Sequence, residues 1–190
     1  MTRAESQAQT RAQLVATAKR LFFEDGYHPT SLERVADAAG YSKGAVYSNF
    51  RNKDELCTAV LDEIRAERLS EVLEIIARPD TPSRIEALRE WADRVIGDPG
   101  WTSLEVEFAV HARREEKLRA DLAAGLGNIL QMLSDGVESA ENPDLKMPGR
   151  EAATTMLALG AGLGLLRSID PSIPVNGLID TLRLITGQPV

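Results

Sequence analysis

The sequence predicts an all-α fold of about nine helices, on three observations. Apolar residues recur at helical spacing through nearly the whole chain. No stretch of strand-like alternation of useful length is present, and no internal repeat. Gly, Pro and Asn breaks interrupt the helical pattern at helix-length intervals.

Leu14, Ala18, Leu21 and Phe22 share one face of a first helix over about 8–25, which Asp25-Gly26 closes. Thr30-Ser31-Leu32-Glu33 reads as a capping box, with the Thr30 hydroxyl serving a free backbone N–H and Glu33 reaching back to another. The second helix turns Leu32, Val35, Ala36 and Ala39 inward and breaks at Gly40. Ser42 caps a short third helix with Val46 and Phe50 on its inner side, and Asn52 precedes a fourth start at Lys53-Asp54-Glu55. That fourth helix carries Leu56, Val60, Ile64, Val72 and Ile76 to about residue 77, where Pro79 and Pro82 flank a Thr81 cap. Ile85, Leu88, Trp91, Ala92 and Val95 form the next helix, stopped at Gly97-Asp98-Pro99-Gly100, and Trp101, Leu104 and Phe108 begin a short segment. Leu118, Leu122, Leu126, Ile129, Leu130, Leu133 and Val137 give the cleanest apolar stripe. After a polar loop with Asn142-Pro143 and Met147-Pro148, two helices of about 150–168 and 175–186 close the chain.

With 190 residues, 43% hydrophobic and 27% charged, the chain can bury a sizeable core and has ordinary globular composition. The single cysteine, Cys57, excludes an intrachain disulfide and a zinc ribbon, and points to a reducing, cytoplasmic setting. The N-terminus lacks the apolar centre of a secretion signal, and the apolar run Met156–Leu166 falls short of the roughly 18 residues that span a bilayer, so no membrane association is expected. The net charge of −7 is unevenly spread: residues 1–53 hold eight Lys/Arg against five Asp/Glu, a local +3, which leaves −10 downstream. Such asymmetry hints that the first part meets a polyanion.

Helix two, the turn at Gly40-Tyr41-Ser42 and helix three have the dimensions of a helix-turn-helix, whose second helix enters a DNA major groove. A plain helical hairpin in a bundle would have the same dimensions. The surface of helix three favours the first reading, since Val46 and Phe50 take the inner side and leave Lys43, Gly44, Ala45, Tyr47, Ser48 and Asn49 displayed. No acid occurs between residues 38 and 53, although the protein as a whole is acidic.

The run from Leu14 to Leu56 resembles the N-terminal domain of TetR-family transcriptional regulators. The resemblance is carried by Phe22-Phe23-Glu24-Asp25-Gly26-Tyr27, by the helix Ser31 to Gly40, and above all by Tyr41-Ser42-Lys43-Gly44-Ala45-Val46-Tyr47-Ser48-Asn49-Phe50-Arg51-Asn52-Lys53-Asp54-Glu55-Leu56. It implies a helix-turn-helix DNA-binding domain over residues 1–52 and a helical effector-binding and dimerisation domain over 53–190. It further implies that Thr30, Ser31, Tyr47 and Lys53 contact phosphates while Lys43, Gly44, Ala45 and Ser48 face base edges. Asn49 stands where relatives often carry His, so no base preference transfers. The partners implied are a palindromic duplex operator, a second copy of the chain, and a small, largely apolar effector, with release from DNA on effector binding. The competing class is a small helical ligand-binding protein or enzyme without DNA binding.

Beyond residue 80 the residues themselves say less. Trp91, Trp101, Phe108, Met132 and Met156 supply bulk for an apolar pocket, with His111 and Glu107 as polar anchors, although such residues also make ordinary core. Two histidines in the whole chain argue against a metal site, no cofactor is indicated, and no nucleophile–base spacing suggests catalysis. Cys57 reads as a buried thiol. Gly160-Ala161-Gly162-Leu163-Gly164 lacks a preceding strand and the GxGxxG spacing, so it is no phosphate cradle. Three glycines in a helix cost roughly 1 kcal/mol each, which close helix approach would offset. The resemblance places the last two helices in a four-helix dimer interface, which would make Leu157, Leu159, Gly160, Leu163, Gly164, Leu182 and Ile185 at least partly intersubunit residues.

Overall fold

The computed structural model describes residues 2–140 and 145–189. The loop residues Asn142-Pro143 lie outside the described residues. The order of elements is α1 (Arg3–Asp25), α2 (Leu32–Ala39), α3 (Lys43–Asn49), α4 (Lys53–Ile76), α5 (Thr81–Val95), α6 (Pro99–Ala112), α7 (Glu116–Ser139), α8 (Gly149–Ile169) and α9 (Asn176–Ile185). Among the described residues there is no strand, in agreement with the helical periodicity.

Local chemistry sets the boundaries, and three of them depart from the sequence reading. Helix α1 begins five residues before the expected start, because Thr2 and Glu5 form a capping box: the Glu5 N–H donates to the Thr2 hydroxyl and the Thr2 N–H to the Glu5 carboxylate. Ser31, not Thr30, caps α2 by accepting the Arg34 N–H at 3.2 Å. Asp80, not Thr81, caps α5, accepting the Ser83 N–H. Short polar side chains offset by one position satisfy a helix end equally well, so composition alone does not separate them. The short segment expected after Trp101 is a full helix of 14 residues, opened by Asp98, whose carboxylate accepts the Trp101 N–H.

Two apolar clusters organise the molecule. The first joins Leu14, Ala18, Leu21 and Phe22 of α1 to Leu32 and Val35 of α2, Val46 of α3, Phe50, Leu56 to Ile64 of α4, and Leu104 and Phe108 of α6. This core crosses residue 52, so α4 and α6 hold the three N-terminal helices by direct packing. The second joins Ile85 and Ala92 of α5 to Leu178 and Ile179 of α9, with Met156 and Leu163 of α8 against it.

Gly97 has φ +98, and a Cβ there would lie 2.4 Å from Arg167 Cβ, so the α5–α6 turn accepts α8 only through glycine. Arg167 fastens the contact by donating to the carbonyls of Ile96 at 2.8 Å and Ile173 at 2.6 Å. Gly160 and Gly164 of α8 face this same turn, with Ile96 Cδ1 3.9 Å from a Cβ at 160 and Thr102 Oγ1 3.7 Å from one at 164. Both glycines thus pack within the chain at ordinary van der Waals distance, without the close approach that would require glycine.

Helix α8 is also long and apolar enough to cross a membrane by length and composition, with a mean hydropathy of 1.4 over its best window. The apolar run Met156–Leu166 is shorter than the 18-residue window, which therefore also takes in flanking residues. Contacts with α6, α7 and α9 engage one side of α8, and Leu159, Leu165, Leu166 and Ile169 remain exposed on the other.

Candidate nucleic-acid interface and internal cavity

The turn between α2 and α3 is closed by Gly40 at φ +73, with the Tyr41 N–H donating to Ala36 O and the Gly40 N–H to Asp37 O. This paired pattern ends a helix and reverses the chain, and the left-handed backbone favours glycine. Ser42 then caps α3, accepting the Ala45 N–H at 3.2 Å. Val46 and Phe50 are buried, as the spacing requires, so α3 is seated on α1 and α2 by its inner side. Arg11 of α1 braces its end, donating to Asn49 O at 2.9 Å with its guanidinium 4.2 Å above the Phe50 ring. Sequence reasoning missed this residue, since a solvent-facing Arg on α1 gives no signal until the helices are docked.

Lys43, Gly44, Tyr47 and Ser48 stand exposed on the outer side of α3, and Ala45 is half-buried. The Tyr47 hydroxyl donates to Glu33 Oε1 at 2.7 Å; that hydrogen bond raises the Tyr47 hydroxyl pKa and lowers that of the Glu33 carboxyl. Ser48 donates its hydroxyl hydrogen to Ala45 O at 2.8 Å and accepts from Asn49 Nδ2 at 3.4 Å, which leaves its oxygen one further lone pair. Ser31 is exposed beside them.

Thr30 differs from the expectation, and Lys53 is held in part by the protein itself. Thr30 is 1% exposed, with its hydroxyl donating to Gly26 O at 2.9 Å, so that side chain fixes the α1–α2 loop and is not displayed to a phosphate. Lys53 is half-buried and donates from Nζ to the carbonyls of Tyr27 at 3.0 Å and His28 at 3.1 Å, above the Tyr27 ring. Burial lowers its pKa, opposed by the nearby Asp54 charge.

Behind this surface lies a polar junction under the α1–α2 turn. Tyr27 is buried, and its hydroxyl donates to Asp54 on α4, which also faces His111 Nε2 at 3.2 Å. Cys57 is buried one turn on, and desolvation pushes its thiol up, which makes it unreactive. Among the described residues no group of three or more His, Cys, Asp or Glu is placed to hold a metal ion.

A cavity of about 650 Å³ opens between α4, α5, α6, α7 and α8, lined by Leu69, Val72, Leu88, Trp91, Trp101, Leu126, Leu133, Met156, Leu157 and Gly160 among others. Of the residues expected to bind a ligand, Trp91, Trp101 and Met156 line it. Phe108, His111 and Met132 do not: Phe108 is fully buried against Tyr27, His111 belongs to the polar junction, and Met132 is exposed on α7. Helix α6 has two apolar faces, and residues 108 and 111 lie on the face that meets the first core. The cavity's polar lining, Arg65 paired with Glu105 at 3.0 Å and Arg68 beside them, was not anticipated. Arg residues facing inward from a long helix look like surface residues in a sequence.

Most of the expected intersubunit residues turn inward: Gly164 and Ile185 are buried, Gly160 lines the cavity, and Leu163 and Leu182 pack against the second core, whereas Leu159 is exposed and Leu157 is exposed at the cavity's edge.

The fold and this surface define an all-helical helix-turn-helix protein. Residues 14–60 match the family described as "Bacterial regulatory proteins, tetR family". The chain is 43% identical over 63 residues to the HTH-type transcriptional regulator TtgR of Pseudomonas putida, a match that covers 33% of this chain and 30% of TtgR. It is 31% identical over 126 residues to the HTH-type transcriptional repressor Rv1474c of Mycobacterium tuberculosis, covering 59% of this chain and 66% of the repressor. The solved structure of reduced Escherichia coli NemR superposes with a TM-score of 0.73 at 21% identity, over 93% of this chain and 96% of NemR, which is a likeness of fold. The chain belongs to the TetR family of bacterial regulatory proteins.

Proposed function

We propose that the chain is a cytoplasmic, homodimeric regulator of transcription that reads a palindromic operator with α3 and is released by a small, largely apolar ligand in the internal cavity. The observation that carries the reading is the outer side of α3: an exposed, acid-free run on a helix fixed from behind by Val46, Phe50 and Arg11. A reading helix needs such rigidity, because base recognition depends on donors and acceptors held in register with the groove.

In this reading residues 1–52 form the DNA-binding domain and 53–190 the effector and dimerisation domain. Lys43, Gly44, Ala45 and Ser48 face base edges, while Ser31, Tyr47 and Lys53 position the protein on phosphates. Thr30 contributes through the loop it holds. The dimer forms through the exposed apolar stripe of α8, Leu159, Leu165, Leu166 and Ile169, extended by Leu184 of α9. A stripe of this kind on a regulator's last long helix fits a second copy, since two reading helices must be held about 34–36 Å apart to meet successive major grooves.

The experiment is a selection of bound duplexes from a random pool, followed by sequencing. A two-fold symmetric consensus with half-sites about one helical turn apart is expected. Recovery of no enriched sequence would favour the competing class, a helical ligand-binding protein without DNA recognition.

A further inference from the structure

The cavity's wall contains two buried hydrogen-bond donors without an acceptor. Arg68 Nε and Trp101 Nε1 are closed off from solvent and have no hydrogen-bond partner among the described residues. They are neighbours, with the Arg68 guanidinium carbon 5.8 Å from the Trp101 ring centroid, and both residues line the cavity. Buried N–H groups are almost always paired, because an unpaired one forfeits the hydrogen bond it made with water. Two together at a cavity wall point to an acceptor that the cavity receives.

Charge says which acceptor. Among the described residues, the ionisable ones lining the cavity are Arg65, Arg68, Arg84 and Glu105. Glu105 is matched by Arg65, and Glu71, behind the wall, lies 3.5 Å from Arg68 and 3.4 Å from Arg94. Among the described residues Arg84 donates only to the carbonyls of Arg78 and Ala140. Three arginines thus line the cavity against the single carboxylate of Glu105, with Glu71 and Asp62 behind the wall, in a protein whose net charge is −7. The opposite walls, from α7 and α8, present Leu126, Leu133, Leu157 and Met156 with no charge.

Building on the proposed effector cavity, we infer that its ligand is an amphipathic carboxylate: an apolar body along α7 and α8, and a carboxylate received by Arg68 and Trp101. A planar guanidinium matches a carboxylate, and a short turn of the flexible Arg68 side chain, which now covers the indole, brings its fork and the unpartnered indole N–H onto the same oxygens. The indole supplies a single donor, so it favours an acceptor head over a cationic one.

Calorimetric titration of the full-length protein with dodecanoate, dodecanol and dodecylamine tests this. Dodecanoate should bind at least about tenfold more tightly than dodecylamine, with dodecanol between them. Trp101→Phe and Arg68→Met should each bring dodecanoate down to the dodecanol affinity and leave dodecanol unchanged. If circular dichroism finds Arg68→Met unfolded, Trp101→Phe, which keeps the ring in place, decides alone. Equal binding of the acid and the amine, or an acid preference untouched in Trp101→Phe, would overturn the carboxylate assignment while leaving the cavity a ligand site. Failure of all three compounds to bind would overturn the effector cavity itself.

Discussion

Glu107 on α6 accepts the backbone N–H of Tyr27 at 2.9 Å, across 80 residues of sequence, and so ties the helix that walls the cavity to the turn that leads into the helix-turn-helix. The two sides of α6 divide the work: Trp101, Glu105 and Val106 face the cavity, whereas Leu104, Phe108 and His111 meet the N-terminal core and its polar junction. A ligand that displaces α6 therefore moves the seat of α2 and α3. The size of any such effect is set by the ligand's differential affinity for the two positions.

Glu107→Leu should lower stability by about 1–3 kcal/mol, because the Tyr27 N–H is left buried without an acceptor. Glu107→Gln, which keeps a carbonyl oxygen there, should cost less than half as much. Urea unfolding of the two variants separates them, and equal midpoints would remove the tie from the mechanism.

The last two helices yield a second expectation. Leu166→Glu or Ile169→Glu, placed on the exposed stripe, should give a monomer by light scattering at micromolar concentration. Gly160→Ala, whose methyl group would meet only Ile96 at van der Waals distance, should leave the dimer intact. Dimers that survive both glutamates would put the interface elsewhere.

Acid offers a third. Burial alone would raise the Glu71 carboxyl, yet hydrogen bonds from Trp91 Nε1 at 2.6 Å and Arg94 at 3.4 Å, with the Arg94 and Arg68 charges, hold it below the ordinary value of 4.5. A carboxylate depressed in the folded state contributes stability that is fully present above its unfolded pKa and lost as pH falls through the folded one. Below pH 4.5, then, the α4–α5 contact weakens. In a Trp101→Phe background, Trp91 fluorescence should change over that acid range, and Glu71→Gln should abolish the change; a transition that persists in Glu71→Gln would assign it to another group.

Much of the reading head was legible because its signals are local. Gly40 needs a left-handed backbone, Ser42 needs only the N–H three residues on, and Val46 and Phe50 lie one turn apart, so adjacent residues determine the turn and the inner side of α3. The cavity was legible only in part, for a physical reason: helical period says that Trp101 and Phe108 are apolar positions of one helix, but not that Phe108 is sealed inside the first core while Trp101, packed against the same core, also reaches the cavity. The α8 residues show the same limit. Nearly every position from Ala152 to Leu166 is apolar or small, so no moment distinguishes the inward Gly160, Leu163 and Gly164 from the outward Leu159, Leu165 and Leu166. Thr30 was misjudged because a loop's tertiary hydrogen bonds leave no periodic trace.

The most direct measurement compares Ser48→Ala with Lys53→Ala on the selected duplex, on point-changed versions of it and on random DNA, at several salt concentrations. If α3 reads sequence, Ser48→Ala changes preference at one position in each half-site by about 1–3 kcal/mol and leaves the salt slope nearly intact. Lys53→Ala, which removes a charge at the start of α4, should weaken all duplexes alike and lower the slope of log K against log salt by about 1 per protomer. Altered base preference in Lys53→Ala, or a change confined to the salt slope in Ser48→Ala, would contradict the docking of α3 in the major groove.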